Sequence, residues 1–228
     1  MMNYIRKSDT RGKANFGWLD SKHSFSFGNY YDPKHMGVSA LRVINDDLIE
    51  PGAGFDTHGH RDMEIITYVT EGALEHKDTL GNEFVMRAGE VQRMTAGTGI
   101  MHSEFNHSKT DPVKLLQIWI RPNETGLEPG YEQARVEQKG PLTELVTPEG
   151  KDGALKMHQA ASLSRLMLKA GEVYKLTAAS TGYLHLIAGD AAINGEQFGP
   201  GDAIGTSDDT ELMVSATTNL EALWFDLP

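Results

Sequence analysis

Tyr68-Val69-Thr70-Glu71-Gly72 leads through a hairpin to Arg87-Ala88-Gly89-Glu90, and further along Leu186-Ile187-Ala188-Gly189-Asp190 leads to Gly199-Pro200-Gly201-Asp202. In both passages a β-forming apolar run meets a glycine-containing turn, and a second glycine-acid turn follows. Both then close on similar segments, Trp119-Ile120-Arg121-Pro122 and Trp224-Phe225-Asp226-Leu227-Pro228. Such self-similarity indicates one structural unit written twice. The intervening polar stretch, rich in Gly and Pro, reads as a linker. The expected division is residues 1–122, a linker at 123–153, and a second unit at 154–228.

The rest of the chain agrees with an all-β reading. Residues 39–44, 64–70, 114–120, 183–187 and 221–225 are rich in β-branched, aromatic or Leu side chains and read as strands. Leu80-Gly81-Asn82 and Asn194-Gly195 read as turns, the second a strong hairpin signal because its residues tolerate positive φ. Helical periodicity is scarce.

Composition narrows the function classes. The chain has no cysteine, so disulfides, thiolate nucleophiles and zinc-cysteine sites all fall away, and any metal must be held by nitrogen and oxygen. Its 228 residues carry 32 acidic against 21 basic groups, a net charge of −11 that repels polyanions. No nucleic-acid partner is expected. No apolar run approaches the ~18 residues needed to span a bilayer, and no apolar stretch follows the basic residues of MMNYIRKSDTRGKANFGWLD. A cytoplasmic protein with no membrane contact is expected, and a monomer.

The chemistry concentrates in two short motifs. His58-Gly59-His60 spaces two imidazoles at i and i+2, which in a strand points both to one face. His102-Ser103-Glu104 repeats that spacing about forty residues on. Two neighbouring strands would thus supply three neutral nitrogens and a carboxylate, a donor set suited to Fe, Mn, Co, Ni, Cu or Zn. His35, His76, His107, His158 and His185 have no spaced partner of this kind and are assigned to packing or surface. His23, in the alternating His23-Ser24-Phe25-Ser26-Phe27, is placed on an edge strand. Setting Gly189 on Gly72 puts Lys175 where His58 stands and Thr177 where His60 stands. The second unit therefore lacks the ligands, and one ion per chain is expected.

With these residues in hand, the chain resembles the pirin family of bicupins, and among them the pirin-like quercetin 2,3-dioxygenases. The resemblance runs through His23-Ser24-Phe25-Ser26-Phe27, Asn29-Tyr30-Tyr31-Asp32-Pro33, the block from Leu41 to Asp47, the block from His58 to Gly72, and Ala96-Gly97-Thr98-Gly99-Ile100-Met101-His102-Ser103-Glu104. It implies two cupin barrels of the double-stranded β-helix, jelly-roll type, packed together in one chain. It implies metal ligands at His58, His60, His102 and Glu104, with Glu104 also the catalytic proton acceptor. Glu64, the position a general cupin pattern would favour, becomes a supporting residue, and Thr95 stands where a cupin usually has Pro. Iron is expected ahead of Ni, Cu, Mn, Co or Zn. The implied reaction is cleavage of a flavonol such as quercetin by O2 with release of carbon monoxide, Phe25, Phe27 and Phe55 walling the substrate. The alternative is a metal- or redox-sensing regulatory protein that binds a protein partner.

Overall fold

The computed structural model describes residues 4–207 and 210–228. Among them the chain is strand after strand, with one short 3-10 turn at Ser8–Thr10. The expected strands are present as Leu41–Ile49, Glu64–Glu71, Val113–Ile120, Thr181–Ala188 and Leu220–Leu227. The first starts only at Leu41, because Ser39 sits at φ 50°, in left-handed backbone that no strand accommodates. It runs on to Ile49 because Asn45 and Asp47, polar but buried, continue its inward alternation.

The chain forms two compact units, and their boundaries interleave. One comprises Gly12–Val136 with Pro148–Gln159; the other takes the N-terminal segment up to Arg11, Glu137–Thr147 and Ala160–Pro228. Thus Tyr4–Arg6 belongs with the C-terminal unit, pairing antiparallel with Ala203–Ser207. The expected linker at 123–153 in fact carries strands: Gly130–Arg135 pairs with Glu90–Thr95, and Leu142–Thr147 with Ser162–Leu168. The pairing supplies partners for the N–H and C=O rows that a bare edge would expose. Gly130–Arg135 has the sequence GYEQAR, without apolar alternation, so nothing in its pattern announces a strand.

Each unit is a pair of antiparallel sheets laid down in the same order. In the first, the larger sheet runs Gly130–Arg135, Glu90–Thr95, Glu64–Glu71, Val113–Ile120, Leu41–Ile49, Leu19–His23, Gly12–Asn15, and the smaller Gly54–His60, Ile100–Asn106, Ala73–Asp78, Glu83–Arg87. In the second, Tyr4–Arg6, Ala203–Ser207, Thr181–Ala188, Leu220–Leu227, Ser162–Leu168 and Leu142–Thr147 follow one another, facing Val173–Leu176, Leu212–Ala216, Ala191–Ile193 and Glu196–Phe198. The repeat read from the sequence is therefore a structural duplication. Gly72 and Gly189 occupy its equivalent turns, both at φ 79°. A side chain there would also press on the Pro112 carbonyl in one unit and on the backbone of Asn219 in the other, so glycine is demanded twice over.

The cores lie between the paired sheets. In the first unit one apolar cluster gathers Leu19, Ile49, Val69, Leu74, Met86, Val113 and Leu115, and another Ile65, Met94, Ala96 and Ile100. In the second, an apolar cluster runs from Leu166 and Leu176 through Leu184, Ile193, Ile204, Leu212 and Val214 to Trp224.

Candidate metal centre

The strand Gly54–His60 pairs antiparallel with Ile100–Asn106, bringing His58 opposite His102 and His60 opposite Ile100. A register shift between His102 and Glu104 sets Glu104 against Phe55, and Gly54 lets its strand lie against the backbone of Glu104 and Phe105, where a Cβ would collide. On the other side Ile100–Asn106 pairs with Ala73–Asp78, so His102 faces Asp78 and Glu104 faces His76. The i, i+2 spacing of each motif therefore sends its side chains to one interior face.

Three imidazoles converge there. His60 Nε2 lies 3.0 Å from His102 Nε2, and His102 Nε2 lies 3.1 Å from His58 Nε2. An ion about 2.1 Å from each nitrogen, with bonds near right angles, separates its donors by about 3.0 Å. His58 Nδ1 donates to the Asp56 carbonyl at 2.8 Å, which fixes the tautomer and leaves Nε2 with its lone pair. Burial, followed by repulsion from the neighbouring imidazoles, lowers His60 to about 4 and His102 to about 3. At neutral pH both rings are uncharged and competent as ligands.

Glu104 sits just inside this cluster at 1% exposure. Gln117 Nε2 donates to its Oε2 at 2.8 Å and Gln92 Nε2 to its Oε1 at 3.3 Å. Thr67 completes the layer, accepting from Gln92 at 3.0 Å and donating to Gln117 Oε1 at 2.9 Å. Burial raises the pKa of Glu104, opposed by the nearby imidazoles of His76, His58 and His60 and by the Gln117 bond. Two overlapping sets of groups could hold an ion: His58, His60 and His102, and His76, His102 and Glu104. The four sequence-read residues share one chamber, but the carboxylate groups with His76 and His102 rather than with the three-imidazole set.

His76 is the residue that sequence reasoning assigned to packing. It is fully buried, with its ring 5.3 Å from that of His102. The signal was available: His76-Lys77-Asp78 has the same i, i+2 spacing as His58-Gly59-His60, but its partner is a carboxylate. Trp119 was also missed, its ring edge-on to His60 at 5.0 Å. Of the three expected aromatic walls, Phe55 lies 6.2 Å from the His58 ring, Phe27 stands one ring farther out against Trp119 at 5.3 Å, and Phe25 is fully buried. His23 is on the strand Leu19–His23, internal to its sheet rather than at an edge, with Nε2 2.9 Å from Ser21 Oγ. Glu64 points elsewhere, to Thr95 Oγ1 at 3.1 Å and Arg93 at 3.9 Å. An open cavity of about 420 Å³, lined by Gly59, His60, Arg61, Thr79, Gly99, Ile100 and Met101, leads to the cluster at His60.

The same positions of the second unit are apolar. Strand pairing sets Leu176 opposite Leu212, as His58 is opposite His102, and sets Val214 between Tyr174 and Ile193, as Glu104 is between Phe55 and His76. The counterpart of His58 is thus Leu176, one residue on from the Lys175 expected by counting from the turn: His58 precedes Glu64 by six positions, whereas Leu176 precedes Thr181, the equivalent of Glu64, by five, so the connection in the first unit is one residue longer.

Residues 5–120 match the family described as Pirin, and residues 144–227 match the Quercetinase C-terminal cupin domain. The chain belongs to the pirin family. Within and around the family, it is 48% identical over 229 residues to the quercetin 2,3-dioxygenase of Escherichia coli, covering 100% of this chain and 99% of that protein. The crystal structure of YhhW from E. coli superposes with a TM-score of 0.97 at 48% identity, covering 100% of this chain and 98% of that one. The bacterial pirin YhhW in complex with nickel(II) gives 0.95 at the same identity, covering 100% and 99%. The architecture of two cupin barrels is therefore that of the family.

Proposed function

We propose that the chain is a metal-dependent dioxygenase of flavonols such as quercetin, with one divalent transition ion held by His58, His60, His102 and Glu104. The observation that carries this reading is the convergence of three imidazoles, Nε2 atoms 3.0 and 3.1 Å apart, beside a buried carboxylate and below an open cavity. It is supported by a relative named quercetin 2,3-dioxygenase and by the nickel(II) complex of a bacterial pirin. The donor set suits iron and nickel alike, so both enter the test.

When bound, the ion supplies Lewis acidity toward a phenolic oxygen. The residues do the rest. The three imidazoles fix the geometry, and the open side above His60 admits the flavonol. Glu104, held by Gln117 and Gln92, accepts the proton of the 3-hydroxyl. Phe55 and Trp119 present faces and edges to a flat aromatic ring. Both atoms of O2 enter the products as the heterocycle opens, one carbon leaving as carbon monoxide.

The test is anaerobic reconstitution of the full chain with Fe(II) or Ni(II), followed by quercetin and O2 with carbon monoxide trapped. Turnover is expected, with His58→Ala reducing metal content and activity at least a hundredfold and Glu104→Gln lowering kcat by about 10²–10⁴. No oxygen uptake with either ion would refute the reading. A metal-dependent protein complex formed without turnover would instead favour a regulatory role.

A further inference from the structure

His76 has no task among the four ligands, yet it is built into their chamber. Its Nε2 lies 3.0 Å from Asp78 Oδ2. Asp78 is itself pinned: its carboxylate accepts from the backbone N–H of Leu80 at 2.9 Å and of Asn82 at 3.1 Å, and from the Asn82 amide at 2.9 Å. An ionised carboxylate can only accept, so the neutral tautomer selected for His76 has its proton on Nε2 and a lone pair on Nδ1. The ring cannot turn away, because Tyr131 covers it at 4.6 Å and 31°, with Phe84 stacked on Tyr131 in turn.

Two buried nitrogens in this corner have no hydrogen-bond partner: His76 Nδ1 and His102 Nδ1. They belong to adjacent rings, 5.3 Å apart at centroid. A histidine bound to an ion through Nε2 carries its proton on Nδ1 and almost always gives it to an acceptor. His58 meets that requirement with the Asp56 carbonyl. Beside His102, the buried ring that also has an unpartnered nitrogen is His76.

We propose that His76 is the positioning residue of His102, receiving its Nδ1–H when Nε2 holds the ion, and that Asp78 sets the tautomer this requires. The assignment rests on the ligand reading above. It makes an unusual demand on a residue remote from the ion. In Asp78→Asn an amide N–H can face His76 Nε2, which moves the proton of His76 to Nδ1, donor against donor, and should weaken metal binding about as much as removing His76 altogether.

The experiment is Ni(II) and Co(II) affinity of the full chain by chelator competition, with the Co(II) visible spectrum, for wild type, His76→Phe, His76→Asn, Asp78→Asn and His58→Ala. Affinity is expected to fall about 10–100-fold in His76→Phe and Asp78→Asn, with a changed Co(II) spectrum. His76→Asn, whose Oδ1 stands near the Nδ1 position, is expected to recover part of it. Melting of the metal-free proteins separates a folding defect from a ligand effect. Affinities within twofold of wild type in His76→Phe and Asp78→Asn, while His58→Ala binds weakly, would overturn the His76 assignment alone. Wild-type affinity in His58→Ala would bring down the ligand reading, and this one with it.

Discussion

The two barrels share a backbone plan and differ in what they place at its centre. In the first, Thr67 is flanked across the sheet by Gln117 and Gln92; in the second, the equivalent Leu184 is flanked by Trp224 and Ile204. Glu104 becomes Val214, His102 becomes Leu212, His58 becomes Leu176 and His76 becomes Ile193. All the second-barrel residues belong to one continuous apolar cluster. In the first barrel the apolar order is interrupted: Ile65 and Val69 belong to different clusters with Thr67 between them, and Gln117 likewise separates Leu115 from Trp119. The polar layer therefore displaces a layer of core, and the fold accepts it because the amide nitrogens of Gln92 and Gln117 and the Thr67 hydroxyl bond within it, leaving Gln92 Oε1 as its one amide atom without a partner. The second barrel, freed of that demand, packs hydrocarbon through the same space, each buried Leu or Ile contributing roughly 1.5–3 kcal/mol.

The strongest way to break this comparison is to transplant the carboxylate. Val214→Glu buries a carboxylate among Leu212, Ile193 and Leu184 with no amide to receive it, and should lower stability by about 4 kcal/mol or more in urea unfolding. Tolerance of that change would mean that the polar layer of the first barrel is not what makes Glu104 affordable.

The reciprocal change is milder. Gln117→Leu strips Glu104 of its 2.8 Å donor and Thr67 of its acceptor, and should lower stability by about 1–3 kcal/mol. Metal-free urea unfolding measures it, and an unchanged midpoint would show that the network is ornamental.

Next comes a contrast in sign. Burial, opposed in part by the Ser21 hydrogen bond, raises Asp47 of the first barrel to about 7, so the folded protein holds that proton more tightly than the unfolded chain. The stability it contributes is present in acid and is lost as pH rises from about 4 through 7. His185 of the second barrel is lowered to about 3, by burial and then by the Arg11 charge. Its contribution is present above about 6.5 and is lost as pH falls toward 3. Within its window each group changes stability by at most about 1.4 kcal/mol per pH unit. Asp47→Asn and His185→Gln should therefore tilt the pH dependence of the unfolding free energy in opposite directions, and parallel tilts would refute the assignment.

The smallest effect sharpens the register. Lys175 is exposed and paired with Glu211 at 2.8 Å, so Lys175→Ala should shift stability by less than about 1 kcal/mol and leave metal stoichiometry unchanged. Leu176, not Lys175, stands where His58 does.

Much of this molecule is legible in its amino-acid order. The i, i+2 spacing of His58-Gly59-His60 and His102-Ser103-Glu104 decides which side chains share a face, because strand geometry leaves only two faces to choose from. The matching glycines at 72 and 189 announce the duplication, because the turn they make excludes other residues. What the sequence could not disclose is which distant strands lie side by side. His76 carried only the local signal of its i, i+2 spacing to Asp78; its place beside Glu104 and His102 comes from pairing across the sheet. Lys175 was misplaced because the connection from His58 to Glu64 is one residue longer than its counterpart from Leu176 to Thr181, a difference of loop length that shows only once the strands are paired. The edge strands at Tyr4–Arg6 and Gly130–Arg135 were missed because their pairing satisfies backbone groups, which carry no side-chain signature. Local spacing is dictated by covalent geometry and is present in the chain itself; register and cross-strand neighbours are settled only when hydrogen bonds close between segments far apart in sequence.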